Sequence, residues 1–185
     1  IRYLKDSQVI KQADVIMAVY LLDNEFDEAS KRINYDYYLS RTMHKSTLSA
    51  SIYSIVALSL GEESEAYDNF IRTAEADLVD SQGSAWQGPH IASSGGTWQA
   101  AVFGFSGLRV DGDGVLAFDP HLPKHWKSVR FCVAWRGALL NVAITDDRVT
   151  VTPVETELRP HTEYTVVRIK GRDVRVARNR RTEDT

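Results

Sequence analysis

Apolar residues recur at a helical spacing through the first part of the chain. Over residues 7–21 they fall at Val9, Ala13, Ile16 and Tyr20, which share one face of an α-helix. The same kind of pattern predicts further helices over residues 26–38, 47–60, 62–78 and 97–105. Because some of these segments are apolar on more than one face, they are typical of part of a larger helical array.

The third and fourth predicted helices have the clearest boundaries. Residues 47–60 are apolar almost all round, which predicts a buried helix, and Gly61 follows it as a C-cap. Residues 62–78 begin with acidic side chains, which suit the positive end of a helix dipole. The apolar face of this helix is predicted to carry Tyr67, Ile71, Ala74 and Leu78.

After about residue 108 the pattern changes to that of short strands. Segments rich in β-branched residues alternate with turn signals such as Asp111-Gly112-Asp113-Gly114 and Arg136-Gly137. The predicted strands cover residues 115–118, 129–135, 139–145, 148–152, 164–170 and 173–177. Strands of this length and spacing favour an antiparallel sandwich. The chain is therefore predicted to be α+β, with helices first and a small β-sandwich after them.

Composition is that of a globular chain and excludes several functional classes. The 185 residues are 43% hydrophobic and 25% charged, and the net charge of −3 gives no general attraction to nucleic acid or a membrane. No apolar run reaches the length of a transmembrane helix. Cys132, the single cysteine, lies in an apolar run and is predicted to be a buried thiol rather than a nucleophile. A cytoplasmic location is the default expectation.

Polar residues interrupt the first predicted helix near its start. Lys11 supplies a cation, and Gln12 supplies an amide that can pair with two sugar hydroxyls at once. This combination suits a carbohydrate ligand. A helix with an ordinary solvated face explains the same residues, so both interpretations stay open.

A histidine and three hydroxyl side chains gather just before the third predicted helix. His44, Ser46, Thr47 and Ser49 lie where backbone N–H groups and the positive end of the helix dipole favour an anion. Plain N-capping by Ser46 or Thr47 is the alternative, although capping accounts for only one of the hydroxyls.

A second histidine precedes a glycine-containing turn ahead of the fifth predicted helix. His90 is followed by Gly95 and Gly96, and two glycines let the backbone approach a ligand closely. A tight helix entry without a ligand is the alternative. The two histidine loops form a phosphate cradle only if they converge in the fold. No metal site is predicted, and the other histidines are expected at the surface: His121, His125 and His161.

Carboxylates are scarce around the first histidine loop. Residues 29–61 contain no Glu, and Asp36 is the only carboxylate there. An inverting hydrolase needs one carboxyl group as acid and another as base for water. Phosphorolysis needs only the acid, because phosphate is itself the nucleophile. The stretch favours phosphorolysis, with Asp36 left open as the base of a hydrolase.

Taken in order, these segments resemble glycoside hydrolase family 65, which contains maltose, kojibiose, nigerose and trehalose phosphorylases and some hydrolases. The resemblance runs from about Gln8 to Val151. No single marker is diagnostic, but the ordered set is specific. The markers are Lys11-Gln12-Ala13-Asp14, Tyr37-Tyr38, Thr42-x-His44-x-Ser46-Thr47-Leu48-Ser49, His90-Ile91-Ala92-Ser93 with Gly95-Gly96-Thr97-Trp98, Gly104-Phe105-x-Gly107-Leu108-Arg109-Val110, Phe118-x-Pro120-x-Leu122-Pro123, and Val129–Trp135 followed by Arg136-Gly137.

The resemblance implies a fold and a set of ligand contacts. Residues 1–108 would be the last helices of an (α/α)6 catalytic barrel, residues 109–178 a C-terminal β-sandwich and residues 179–185 a disordered tail. Lys11 and Gln12 would bind the transferred glucosyl unit. Phosphate would be bound by His44, Ser46, Thr47 and His90, with backbone at Gly95 and Gly96.

The implied reaction is inverting phosphorolysis of an α-linked glucose disaccharide. The family's general acid is a Glu on an earlier barrel helix, so no catalytic residue is assigned here, and the chain is expected to be a C-terminal fragment that is inactive alone. Phosphate attacks the anomeric carbon from the opposite face and yields β-glucose 1-phosphate and a free sugar. Inorganic phosphate is the co-substrate, and no other cofactor is implied. The rest of the barrel is an expected partner, and a homodimer is an open possibility.

Two departures from the family pattern bear on specificity. Leu39-Ser40 stands where family phosphorylases carry Glu-Pro, in a region that contributes to acceptor recognition, so the linkage is left open. Thr47 replaces the second Ser of a His-x-Ser-Ser motif and keeps its hydroxyl. The alternatives are an inverting α-glucoside hydrolase of the same family and a non-catalytic carbohydrate-binding protein.

Overall fold

The chain forms two compact units, Ile1–Phe105 and Ser106–Thr185. The computed structural model describes residues 7–80, 83, 86, 88–154 and 164–177. The helices of the first unit are α1 (Asp14–Leu21), α2 (Glu28–Leu39), α3 (Ser49–Ser59), α4 (Glu63–Ala74) and α5 (Ile91–Gln99), and α5 continues as a π-helix over Ala100–Phe105. In the described part of the chain, no helix is both long and apolar enough to cross a membrane.

Helix α3 lies at the centre of the first unit. Every residue from Ser49 to Leu58 is buried, which confirms the prediction from its all-round apolar pattern. The C-cap is Leu60, and Gly61 follows it with a φ of +79°, the left-handed conformation in which glycine commonly ends a helix, so the predicted stop is also confirmed. Helix α4 packs on α3, and the buried Ser54 hydroxyl donates to the carbonyl of Ala66 at 2.8 Å.

Helix α1 begins later than the sequence predicts. It starts at Asp14 rather than near residue 7. The reason is that Ile10 forms a parallel β-bridge with Thr42, which holds the preceding segment in an extended conformation. Lys11 and Gln12 therefore lie in the bend before α1 and not on the helix.

Two other helix boundaries differ from the prediction. Helix α4 ends at Ala74, so Leu78 lies beyond it with 83% of its surface exposed and is not part of a buried face. Helix α5 begins at Ile91 instead of residue 97. The carbonyl of His90 already accepts the first backbone hydrogen bonds of α5, so the predicted turn is instead the first two turns of the helix.

The second unit contains two sheets. Its strands are β1 (Leu108–Val110), β2 (Leu116–Phe118), β3 (Val129–Trp135), β4 (Ala138–Ile144), β5 (Val149–Pro153), β6 (Tyr164–Ile169) and β7 (Arg172–Ala177). One sheet has the order β1-β2-β6-β7 and the other β3-β4-β5. The prediction of a purely antiparallel arrangement is wrong for β2 and β6, which pair in parallel. Strand β1, which was not predicted, pairs antiparallel with β2.

The core of the second unit comes from both sheets, and β5 of one sheet contacts β7 of the other. The buried apolar residues are Leu108, Leu116, Ala117, Phe118, Leu140, Val142, Ile144, Val167 and Val176. Gly107, just before β1, is required by geometry. Its φ is +59°, and a Cβ there would lie 1.9 Å from the carbonyl oxygen of Asp119.

The prediction of a buried thiol at Cys132 is wrong. Strand β3 alternates, with Phe131, Val133 and Trp135 half-buried on one face and Cys132 exposed on the other. The Cys132 Sγ lies 2.8 Å from Oδ1 of Asn141 on the neighbouring strand. An apolar run thus did not mean burial on both faces, because only one face of this edge strand meets the core.

Candidate sugar and phosphate site

Backbone hydrogen bonds join the segment of Lys11 and Gln12 to the first histidine loop. The N–H of Ile10 donates to the carbonyl of Arg41 at 3.0 Å, and the N–H of Met43 donates to the carbonyl of Ile10 at 2.9 Å. At the other end of the segment, the N–H of Ala13 donates to the buried Ser49 hydroxyl at 3.2 Å. The predicted sugar-binding residues therefore lie next to the loop that carries His44.

Ser93 joins the two histidine loops. It lies in the first turn of α5, three residues after His90, and is only 2% exposed. Its hydroxyl lies 3.2 Å from the carbonyl oxygen of Thr47 and 3.1 Å from that of Thr73. The segments that carry His44 and His90 are thus in contact through Ser93.

Lys11 and Gln12 are available to a ligand. Lys11 is exposed and Gln12 is half-buried. Neither side chain hydrogen-bonds to another residue within the described ranges. A cation and an amide presented from a bend can both turn towards sugar hydroxyls.

His44 is held tightly within the helical unit. Its φ is +50°, its Nε2 lies 2.7 Å from the carbonyl oxygen of Leu39, and its ring centroid lies 5.0 Å from that of Tyr53. Since a carbonyl only accepts, Nε2 carries the proton. Nδ1 is buried and has no hydrogen-bond partner among the described residues. Contact between Nδ1 and an anion would require that atom to become accessible.

N-capping does not account for the hydroxyls before α3. The N-cap position is Leu48, and no side chain caps this helix. The hydroxyl of Ser46 instead accepts a 3.3 Å hydrogen bond from the N–H of Leu48, which is a local turn contact. Thr47 is half-buried, and its carbonyl is the group that Ser93 contacts.

His90 is paired with an aspartate that the sequence did not indicate. Its Nδ1 lies 2.5 Å from Oδ1 of Asp77, and its backbone N–H donates to Oδ2 of the same carboxylate at 2.7 Å. Hydrogen bonds from the ring and the backbone of His90 hold the pKa of Asp77 below its ordinary value. An ionised carboxylate in this position accepts a hydrogen bond from Nδ1, and Nε2 then faces away from Asp77.

Gly95 and Gly96 lie inside α5 and not in a loop before it. Backbone N–H groups in the second turn of a helix donate to carbonyls of the preceding turn, so they are less available to phosphate than a loop would be. Gly96 is buried, and a Cβ there would lie 2.7 Å from the Ser51 hydroxyl, whereas a Cβ on Gly95 meets nothing within 4 Å. Gly96 therefore allows α5 to pack against α3, and the predicted phosphate contacts of the two glycines stay predictions.

Arg72 and Asp77 contact the two histidine segments and were both missed. Arg72, in the last turn of α4, donates from its guanidinium to the backbone carbonyl of His44 and adds a cation beside that loop. The two residues lie 28 and 13 positions from the histidines they contact and carry no motif, so only the fold shows these contacts. His121 and His125 lie exposed in the second unit, as predicted, and His161 lies outside the described residues. Among the residues whose positions are described, no group of three His, Cys, Asp or Glu side chains could hold a metal ion.

The bend with Lys11 and Gln12 adjoins the His44 loop, and Arg72 and Ser93 contact the same loop. Comparison with known sequences identifies the family. Residues 2–99 match the Glycosyl hydrolase family 65 central catalytic domain, and residues 108–177 match the Glycosyl hydrolase family 65 C-terminal domain. The chain belongs to glycoside hydrolase family 65.

Individual relatives are phosphorylases of several disaccharides. The chain is 47% identical to the kojibiose phosphorylase of Caldanaerobacter subterraneus subsp. tengcongensis over 92% of its own length and 22% of that protein. It is 44% identical to the alpha,alpha-trehalose phosphorylase of Geobacillus stearothermophilus over 74% of its length and 18% of that protein. A solved structure described as a candidate kojibiose phosphorylase from the human microbiome matches with a TM-score of 0.79 and 32% identity, over 92% of this chain and 22% of that one. The chain thus spans about a fifth of the length of these relatives.

Proposed function

We propose that this chain is the C-terminal part of an inverting phosphorylase that acts on an α-linked glucose disaccharide. The observation that carries the proposal is the contact of Ser93 with Thr47, which brings the His90 segment to the loop that contains His44. The bend with Lys11 and Gln12 adjoins the same loop. The relatives named above, all phosphorylases, support the same reaction type.

In this proposal the chain supplies binding and an upstream segment supplies the acid. Lys11 and Gln12 hold the transferred glucosyl unit. Phosphate is bound between the His44 loop, with Ser46 and Thr47, and the start of α5 at His90. The upstream Glu protonates the glycosidic oxygen, and phosphate attacks the anomeric carbon from the opposite face. Inversion at that carbon gives β-glucose 1-phosphate.

Exposed apolar side chains on the helical unit support its placement in an (α/α)6 barrel. Leu21, Ile33 and Trp98 expose more than half of their surface, at 67%, 68% and 51%. Side chains of this kind on several helices of one unit are typical of surfaces that other elements cover. We propose that earlier helices of the barrel cover them.

Asp36, the residue left open as the base of a hydrolase, lies among charged side chains. Its side chain is 62% exposed and lies 4.0 Å from the guanidinium of Arg32 on the same helix. Arg32 also pairs with Glu62 at 2.8 Å. The contacts of Asp36 are thus with this charged cluster and not with the histidine segments, so they do not favour the hydrolase.

A phosphate-dependence assay tests the proposal. The full-length protein that contains this chain is incubated with a panel of α-linked glucose disaccharides, with and without inorganic phosphate, and β-glucose 1-phosphate and glucose are both measured. Phosphate-dependent formation of the ester is expected and identifies the linkage. Glucose release that is independent of phosphate would indicate a hydrolase, and binding without turnover would indicate a carbohydrate-binding protein. Either result contradicts the proposal.

A further inference from the structure

We propose that Asp77 is a positioning residue for phosphate binding, which acts by fixing the ring of His90. The inference rests on the proposed function, because His90 is assigned there to phosphate. It assigns a role to a residue between α4 and α5 that no sequence motif marks. Asp77 itself would not touch phosphate.

The geometry of the pair supports this role. Both carboxylate oxygens of Asp77 bond the same residue, one through the ring Nδ1 at 2.5 Å and one through the backbone N–H at 2.7 Å. The first contact sets the rotation of the ring, and the second sets the position of the backbone that carries it. The two side chains are partly shielded from water, at 31% exposed for Asp77 and 21% for His90. A bidentate contact of this kind leaves the imidazole little freedom.

The chemistry of the pair also fits an anion. With Nδ1 donating to a carboxylate, a neutral ring has only a lone pair at Nε2, which accepts from a protonated phosphate oxygen but cannot donate to an ionised one. Nε2 donates to a phosphate oxygen in the form of the ring that carries a proton on both nitrogens, and that form keeps its hydrogen bond from Nδ1 to Asp77. Asp77 therefore fixes the orientation of the ring, and with it the direction in which Nε2 faces.

Simple electrostatics predicts that removing the Asp77 carboxylate strengthens phosphate binding, whereas loss of a positioning residue weakens it. A negative charge near a phosphate site weakens phosphate binding, so a carboxylate with no positioning role would leave tighter phosphate binding once removed. A positioning carboxylate would leave weaker phosphate binding once removed. The sign of the change in KM for phosphate separates the two roles.

The experiment measures steady-state phosphorolysis by the full-length protein and its Asp77→Asn variant. We expect KM for phosphate to rise on the order of tenfold, the usual effect of losing a charged hydrogen bond. The KM for the disaccharide should stay within about twofold of the wild-type value. A rise in KM for phosphate alone cannot come from a general loss of folding, which would affect both substrates. The matched control is Glu75→Gln, which removes the same charge two residues away at the exposed end of α4 and should not raise KM for phosphate.

Other outcomes would overturn the inference. An unchanged or lower KM for phosphate in Asp77→Asn, with a phosphate-dependent wild type, removes the positioning role and leaves the proposed function intact. An equal rise in KM for phosphate and for the disaccharide, together with a lower melting temperature, shows that Asp77 has a structural role only. If Asp77→Asn does not fold, Asp77→Glu serves instead, since it keeps the charge and shifts the carboxylate by one methylene; the same selective rise in KM for phosphate is required. A wild-type protein that ignores phosphate refutes the proposed function itself.

Discussion

The hydroxyl of Ser93 lies 3.2 Å from the backbone carbonyl oxygen of Thr47, although 46 residues separate them in sequence. The same hydroxyl lies 3.1 Å from the carbonyl of Thr73, so one buried side chain contacts the loop before α3 and the end of α4 from the first turn of α5. A serine at this position therefore links the segments that would have to act together on phosphate.

Replacing Ser93 by Ala is expected to destabilise the helical unit. The carbonyls of Thr47 and Thr73 would lose the one hydroxyl donor that they share, and the expected cost is about 1–3 kcal/mol in the free energy of unfolding. Urea unfolding followed by circular dichroism measures it. Ser94→Ala is the control, because Ser94 is the exposed neighbour on the same helix. Equal stability of the two variants would mean that the Ser93 contacts contribute nothing.

Gly96 and Gly95 form a second matched pair with opposite expectations. A Cβ at Gly96 would lie 2.7 Å from the hydroxyl oxygen and 2.9 Å from the Cβ of Ser51, so Gly96→Ala must push α5 away from α3. Overpacking of this kind costs about 1–3 kcal/mol. A Cβ at Gly95 meets nothing within 4 Å, so Gly95→Ala should stabilise the helix by up to about 1 kcal/mol. Unfolding midpoints of the two variants check both signs, and a destabilised Gly95→Ala would contradict the packing described here.

Replacement of His90 by Ala in the full-length protein is expected to impair phosphorolysis at low phosphate by about ten- to a hundredfold, the range for one charged hydrogen bond. Thermal stability should change little, because the backbone N–H that bonds Asp77 remains. His121→Ala, which changes an exposed histidine of the second unit, is the control. Activity of His90→Ala equal to the wild type at low phosphate would remove His90 from the site.

The sequence predicts the positions of most helices and strands better than it predicts the conformation of the segments that join them. The buried helix α3 follows directly from its composition, and most strand positions follow from β-branched runs between turns. The bend at Lys11 does not, because it depends on the pairing of Ile10 with Thr42, a contact across 32 residues. A helical period alone does not show such a pairing, so it predicts a helix that extends too far towards the N-terminus.

The partners of the site residues are the other part that sequence does not show. Asp77 and Arg72 are ordinary charged residues, and their contacts with His90 and with the carbonyl of His44 arise only when the segments that carry them come together in the fold. Ser93 belongs to a marker motif, yet its hydrogen bonds are set by three separate segments. Pairwise contacts of this kind leave no period or spacing in a single sequence.

The N-terminus of α2 gives a prediction about pH. Asp27 is its N-cap, and its carboxylate accepts a 2.7 Å hydrogen bond from the N–H of Ser30. Hydrogen bonds from the side chain and the backbone of Ser30 lower the pKa of Asp27. A lowered pKa in the folded state means that the carboxylate stabilises the fold above the ordinary aspartate pKa, and that this contribution disappears as pH falls through the lower folded value.

Asp27→Asn is the variant that isolates this effect, because Asn caps a helix about as well as Asp but does not titrate. The wild type should lose stability relative to Asp27→Asn as pH is lowered from about 5 to 2, across the ordinary aspartate pKa of about 3.9. Urea midpoints of both proteins at each pH give the difference directly. A difference that stays constant over this range would show that the Asp27 carboxylate has the same pKa in the folded and unfolded chains, and that its contact with Ser30 does not favour the charged form.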